Sequence, residues 1–391
     1  MLLLKLDSRQ MERELKYNAL SRLFVMTDRP TEGFVRDHAN IDRSYRALGA
    51  DGIEELNQII IQRALESGFS DLETLNSDTT IQELHIGYPN EPGILRQVAQ
   101  KVVRLGKRLL KAGFKQSKGA VLRVTEQATR VLEKVKEHRL FAKTKEDKAR
   151  LLREMMTETE VMMTEATTLQ LSCAVQTKSK VASRVGEKIR ELQGFVTGLL
   201  PQIKGWLETK KVATQKLLHP GFAEARSHTK NKPGKKVEFG FKWLVNQLAG
   251  GYVYGQMFVG RPSESDMPLK ALEEYREHFG EDKTPKMAVY DRGGWSKKNV
   301  RKLEEEGVQE VGLMPKGRAD WCVGESEQVQ VRSLRGQMEA SIGTLKTECY
   351  GFNKPKQRSV NTVEQAGQRS FASKNLNKLM SDLIQSARAS D

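Results

Sequence analysis

Apolar residues recur at helical spacing at the start of the chain, give way to a short stretch of apolar and β-branched residues without that period, and then resume it. SRQMERELKYNALSRLFV (8–25) predicts a helix with Ser8 as its N-cap, and GADGIEELNQIIIQRALESGF (49–69) a second, punctuated by Gly49 and Gly68. In LETLNSDTTIQELHI (72–86) apolar and β-branched residues replace the helical period, predicting a first strand before the break at Gly87, Pro89 and Pro92. Ile94 to Leu218 reads as helices, and 219–236 as a polar loop containing Pro and Gly. VEFGFKWLVNQLAGGYVYGQMFVG (237–260) predicts two strands turned at Gly250 and Gly251. Helix and strand then alternate: a helix over 268–279, a strand over 286–291, a helix from 296 to 307 capped by Ser296, and a strand in 308–317. A helix in 331–351, closed by Gly351, follows.

Strand signals thus fall in two separated pieces with a helical block between them. Alternation in the second piece implies an α/β fold, a mixed sheet covered by helices. The first piece must join that sheet, because an isolated strand is only marginally stable. The expected organisation is a helical N-terminal domain (1–70), the first strands of the core (71–93), a helical insertion (94–218), the rest of the core (219–350) and a basic C-terminal tail (351–391).

Charge adds a partner class. Among 391 residues, 65 Lys and Arg against 50 Asp and Glu leave a net +15. Such a surplus favours a polyanion through counterion release. The most basic stretch, 96–150, has 17 Lys/Arg against 5 Asp/Glu. Apolar residues continue through it, so packed helices with a basic face are expected rather than a disordered tail. The apolar start, Met1 to Leu4, is interrupted by Lys5 and Asp7, too short for a signal-peptide core or a spanning helix, so a cytoplasmic protein is expected. Cys173, Cys322 and Cys349 have no metal-ligand spacing.

Three acids carry the candidate chemistry. Asp291 ends the apolar strand Met287–Tyr290 and precedes Arg292-Gly293-Gly294, the lip of a strand where sites form on open α/β sheets. Asp78 lies within a strand, where aspartate is depleted. Glu339 shares a helix face with Arg335 and Lys346, within about 40° of one another, beside an apolar stripe of Leu334, Met338, Ile342 and Leu345. The bland readings are a turn-forming Asp, an edge-strand Asp and a surface ion pair worth about 0.2–0.5 kcal/mol. Taken together, three carboxylates suit two divalent cations that prefer oxygen donors, and such ions support in-line displacement at phosphorus. Other acids rank lower: Glu224 lacks a strand context, and Asp266 sits in a turn. Trp295 could stack on a base or anchor the turn. His85 and His228 read as satisfied polar groups.

The spacing Arg335, Glu339, Lys346 resembles the Tyr-x2-Arg-x3-Glu-x6-Lys signature of insertion-sequence DDE transposases, with Arg332 standing where that signature has tyrosine. LNSDTTIQELHIGYP resembles the family's first-acid segment and VYDRGGWS its second, while KKVEFGFKW and GGYVYG resemble the strands between. LFVMTDRPTEGFVRDHANIDRSYRALG (23–49) resembles the family's helical N-terminal region, and the chain begins as if in the middle of that region, implying a truncated or internally started N-terminus. The resemblance covers nearly the whole chain. It implies a bacterial, nucleoid-associated enzyme with a ribonuclease H-like core and Asp78, Asp291 and Glu339 as catalytic metal ligands. It further implies Mg²⁺ or Mn²⁺, two ions, as cofactor, and double-stranded DNA (terminal inverted repeats and target) as partner, bound as a homodimer. Arg332, Arg335, Lys346, Trp295, Lys297 and Lys298 are the expected DNA contacts. The competing expectations are a catalytically inactive, transposase-derived DNA-binding protein, a basic scaffold for protein partners, and a two-metal nuclease without strand transfer.

Overall fold

In the computed structural model, the described residues are 6–18, 37–175, 179–229, 237–315, 317, 319–357 and 359–390. The apolar start at 1–4, the last part (19–25) of the helix expected over 8–25, part of the N-terminal resemblance (23–36) and the loop residues 230–236 lie outside them. The chain is α/β and divides into two compact units, one formed by residues 1–85 with 240–391 and one by 86–239. The described strands form a mixed sheet of six. No described helix is long and apolar enough to cross a membrane.

The first unit opens with α1 (Ser8–Tyr17) and α2 (His38–Glu66). Ser8 is the first helical residue rather than the cap. The cap is Asp7, whose carboxylate accepts from Arg9 and Gln10 N–H while Gln10 reaches back, a capping box. Gly49 takes a positive φ inside α2 and kinks it. Strand β1 (Thr74–Glu83) follows, where apolar and β-branched residues replace the helical period.

The rest of this unit comes from the C-terminal half. Strand β3 (Val237–Gln247) turns into β4 (Val253–Phe258), with β2 (Arg226–Thr229) described below. The turn needs glycine at 250: φ is 73°, and a Cβ there would lie 2.2 Å from the Phe69 carbonyl oxygen. Helix α7 (Met267–Phe279), strand β5 (Met287–Tyr290), α8 (Lys297–Glu305) and β6 (Glu310–Leu313) alternate as expected, and α8 is capped by Ser296. Antiparallel pairing joins β4 to β3 and β3 to β1, and parallel pairing joins β1 to β5 and β5 to β6. In β5, Met287 and Val289 meet Val331 of α9 (Glu325–Leu345), while Ala288 and Tyr290 join a core with α2, α7 and α8. A strand buried on both faces reads as a continuous apolar run, and β5 does. Helix α9 ends with Lys346 as its C-cap, short of the Gly351 stop expected from sequence.

Residues 351–391, expected from the sequence to be a basic tail with a helical end, contain helix α10 (Val360–Ser390), which packs into the core. Its Phe371 and Ala372 are fully buried. Asn375 of α10 and Asn57 of α2 both donate to the Val253 carbonyl, at 2.6 and 3.0 Å, and the Val253 N–H donates to Asn375 at 2.9 Å. Two helices thus supply partners for backbone groups of β4. Burying amides this way requires each polar atom to be satisfied, which a charge count along the sequence does not reveal.

The second unit is a helical assembly: α3 (Glu91–Lys111), α4 (Lys118–Phe141), α5 (Lys145–Ala174) and α6 (Lys180–Thr209). Their buried positions keep helical periods, Val98, Val102, Leu105 and Leu109 on α3 and Val185, Ile189, Leu192, Val196 and Leu199 on α6. Gly106 lets α4 approach closely; a Cβ there would lie 3.0 Å from Val121. The 219–236 segment is not loop throughout, because β2 (Arg226–Thr229) forms within it. β2 neighbours β3 in the sheet, and strand pairing overrides a composition that reads as loop.

Candidate functional site at the lip of the sheet

Parallel pairing sets the geometry of the first two acids. The last β1–β5 pair is Asn76 with Val289. Asp78 and Asp291 each follow that pair by two residues, Asp78 within β1 and Asp291 just past the end of β5. Asp291 leaves β5 as the cap of a short 3₁₀ turn (Arg292–Gly294), its Oδ1 accepting from Gly293 N–H at 2.7 Å. Asp78 stays within β1, opposite Val245 of β3.

Helix α9 is fastened over β1 by three polar contacts. Asn76 donates to the Leu334 carbonyl at 2.6 Å, and Arg335 donates to the Ser77 carbonyl at 3.2 Å and to the Asp78 carboxylate at 2.9 Å. The other Asp78 oxygen accepts from Thr79 N–H at 2.7 Å. Both partners of the ion pair are mostly buried, with side chains 13% and 15% exposed. Burial raises the Asp78 carboxyl above its ordinary value, Arg335 opposes that rise, and the neighbouring charge of Asp291 adds to it. Behind Asp78, Ser77 donates to Asn246 at 2.6 Å and Asn246 to the fully buried Glu274 at 2.9 Å.

Glu339 lies one turn beyond Arg335 on α9 and is exposed. The carboxylate oxygens of Asp78, Asp291 and Glu339 do not all come within 4.8 Å of one another. Among the described residues, a trio that does is Glu12, Asp37 and His38, near the start of α2. There the His38 N–H and ring approach Glu12 at 3.1 and 2.8 Å, and Lys16 donates to Glu12. This trio could hold a metal ion; its contacts are also those of a capped helix start, and nothing in the sequence pattern singles it out.

The expected DNA contacts are dispersed. Lys297 and Lys298 are exposed on the first turn of α8, next to the Asp291 turn. The Arg332 guanidinium stands 5.9 Å from the centroid of the Trp321 ring. Lys346 caps α9, its N–H bonded to the Ile342 carbonyl. Trp295 packs its indole against the apolar core with Nε1 buried, which favours the turn-anchoring reading over a stacking one.

Sequence reasoning missed Glu264, which lies in the 3₁₀ turn Glu264–Asp266 after β4. It accepts from Thr79 Oγ1, Tyr290 Oη and Lys242 Nζ, each at 2.7 Å. Burial pushes its carboxyl up, but these three donors outweigh burial and hold it below the ordinary carboxylate value. The tyrosine is pushed the other way, first by burial and then by Glu264. A turn has no period from which such a residue could be read.

No family model, curated protein or solved structure matches the chain.

Proposed function

We propose that the chain is a DDE-type transposase with a ribonuclease H-like core, which cuts and rejoins double-stranded DNA at the ends of an insertion sequence. The single observation that carries this reading is that Asp78 in β1 and Asp291 at the end of the parallel neighbour β5 each follow the last β1–β5 pair by two residues, while Arg335 of the helix that bears Glu339 bonds to Asp78. The strand order β4-β3-β1-β5-β6, antiparallel as far as β1 and parallel beyond it, fits such a core.

Asp78 and Asp291 offer the hard oxygen donors that Mg²⁺ or Mn²⁺ prefers. Glu339 is the remaining candidate donor, from the helix that crosses them. A pair of such ions supplies Lewis acidity toward both the entering and the leaving oxygen of an in-line displacement at phosphorus. The chain's own residues set the frame for it. Arg335 balances the charge of Asp78, and Arg335 and Lys346 are assigned to phosphates, contacts that fix register more than sequence. Lys297 and Lys298 extend that positive edge beside Asp291. Two copies acting on paired ends, as a homodimer, complete the proposal.

The test uses the purified chain, Mg²⁺ and duplexes carrying the sequences that flank its reading frame. Asp78→Asn, Asp291→Asn and Glu339→Gln should each abolish strand cleavage while duplex binding persists. Full cleavage by any one variant removes that residue from the site. The separation of the three carboxylates favours a second reading, a DNA-binding protein without catalysis, and duplex binding with no metal-dependent cleavage by the wild-type chain would establish it.

A further inference from the structure

We propose that Glu264 is the positioning residue of this site, setting the spacing of Asp78 and Asp291 from the opposite face of the sheet; the inference rests on the transposase reading above. Its two oxygens gather hydrogen bonds from three adjacent strands: Thr79 of β1, Tyr290 of β5 and Lys242 of β3. Thr79 directly follows Asp78, and Tyr290 directly precedes Asp291. One carboxylate therefore holds the immediate neighbours of both acids.

The pleat explains why this is positioning rather than ligation. Successive side chains on a strand point to opposite faces. Asp78 points toward α9, where Arg335 meets it, so Thr79 points to the other face, where Glu264 meets it. Tyr290 belongs with Ala288 to the core on that same face. Glu264 is also committed to Lys242, whose side chain is only 12% exposed and which donates in addition to the Pro262 carbonyl at 3.3 Å. Charge-assisted bonds of this kind are stronger than neutral ones. The same side chain lies over the Asp291 turn: a Cβ on Gly293 would fall 2.5 Å from Glu264 Cγ and 2.9 Å from Asp291 Oδ1. Any larger residue at 293 would push Glu264 and Asp291 apart.

Carboxylates that hold metals are tuned by the groups that orient them, and removing such groups commonly costs about 10- to 100-fold in metal affinity or activity. Glu264→Ala should weaken Mn²⁺ binding, measured by electron paramagnetic resonance on the DNA-free chain, by about 10-fold. Cleavage should fall by a similar factor at a fixed Mg²⁺ concentration and recover in part as Mg²⁺ is raised, with duplex affinity unchanged. Thr79→Val and Tyr290→Phe, each removing one donor, should produce smaller losses of the same kind. Glu264→Gln, which retains an acceptor oxygen, should lie between wild type and Glu264→Ala.

Asp78→Asn serves as the control. If it binds Mn²⁺ as tightly as wild type, the metal site itself is misassigned and both readings fall. If Asp78→Asn loses Mn²⁺ while Glu264→Ala, folded by circular dichroism, keeps wild-type affinity, only the positioning role is overturned. Should Glu264→Ala not fold, Thr79→Val and Tyr290→Phe decide, and wild-type Mn²⁺ affinity in both would refute the proposal.

Discussion

Arg335 grips two consecutive residues of one strand, the carboxylate of Asp78 and the carbonyl of Ser77, so a helix from the end of the core fixes the central acid of its first strand. Arg335 and Asp78 are 257 positions apart in the chain. Their contact, and that of Asn76 with the carbonyl of Leu334 just before Arg335, determine where α9 crosses the sheet.

Removing the arginine should therefore expose the cost of an unpaired acid. Breaking a largely buried ion pair by deleting one partner costs about 3 kcal/mol. Arg335→Met should lower unfolding stability in urea by roughly that amount, and adding Asp78→Asn should recover much of the loss. A single variant as stable as wild type would mean that the pair contributes no structural restraint.

Glu274 offers a pH-dependent test. It is fully buried, and burial first, then the nearby charge of Glu54, raises its carboxyl well above 4.5, despite the Asn246 hydrogen bond. The folded state thus holds the proton more tightly than the unfolded chain. Its contribution to stability is complete below the unfolded value and is lost as pH rises from 4.5 through the raised folded value. Glu274→Gln, which mimics the protonated acid, should match wild type at acid pH and exceed it increasingly above that range. Thermal melts showing a gap independent of pH would refute the shift.

Helix α10 meets β3 through Gly367. A Cβ there would fall 2.2 Å from the Trp243 ring, which is fully buried and donates to Gln82 at 2.8 Å. Gly367→Ala should destabilise by about 1–3 kcal/mol, although alanine is the better helix former. Equal or greater stability by chemical denaturation would show that α10 can shift without cost.

Lys297 and Lys298 test the proposed nucleic-acid edge. Replacing each with Ala should weaken duplex binding about equally for all sequences and reduce the salt slope by about 1 per lost phosphate contact. Unchanged affinity and slope would place the DNA elsewhere.

Much of this arrangement was legible in the residues. Ser296, the β3–β4 hairpin and the strand around Asp78 all show local signals, because a cap, a turn glycine and a run of apolar and β-branched residues act within a few residues of one another. The limits of α9 were less clear, since Lys346 ends a helix whose pattern runs on to Gly351. The helical end of the C-terminal segment was legible but its burial was not: net charge describes its solvent side, whereas Phe371, Ala372 and Asn375 decide its burial.

By itself, then, the sequence determined the order of the helices and of every strand but β2, and the basic character, and it singled out three acids. Only tertiary structure decided that β1 pairs parallel to β5, the strand that Asp291 follows, and that Glu264 bonds to the neighbours of both Asp78 and Asp291. The reason is physical. Periodicity and capping are written in adjacent residues, but the pairing of strands hundreds of residues apart is settled by which buried faces and polar partners can be satisfied together.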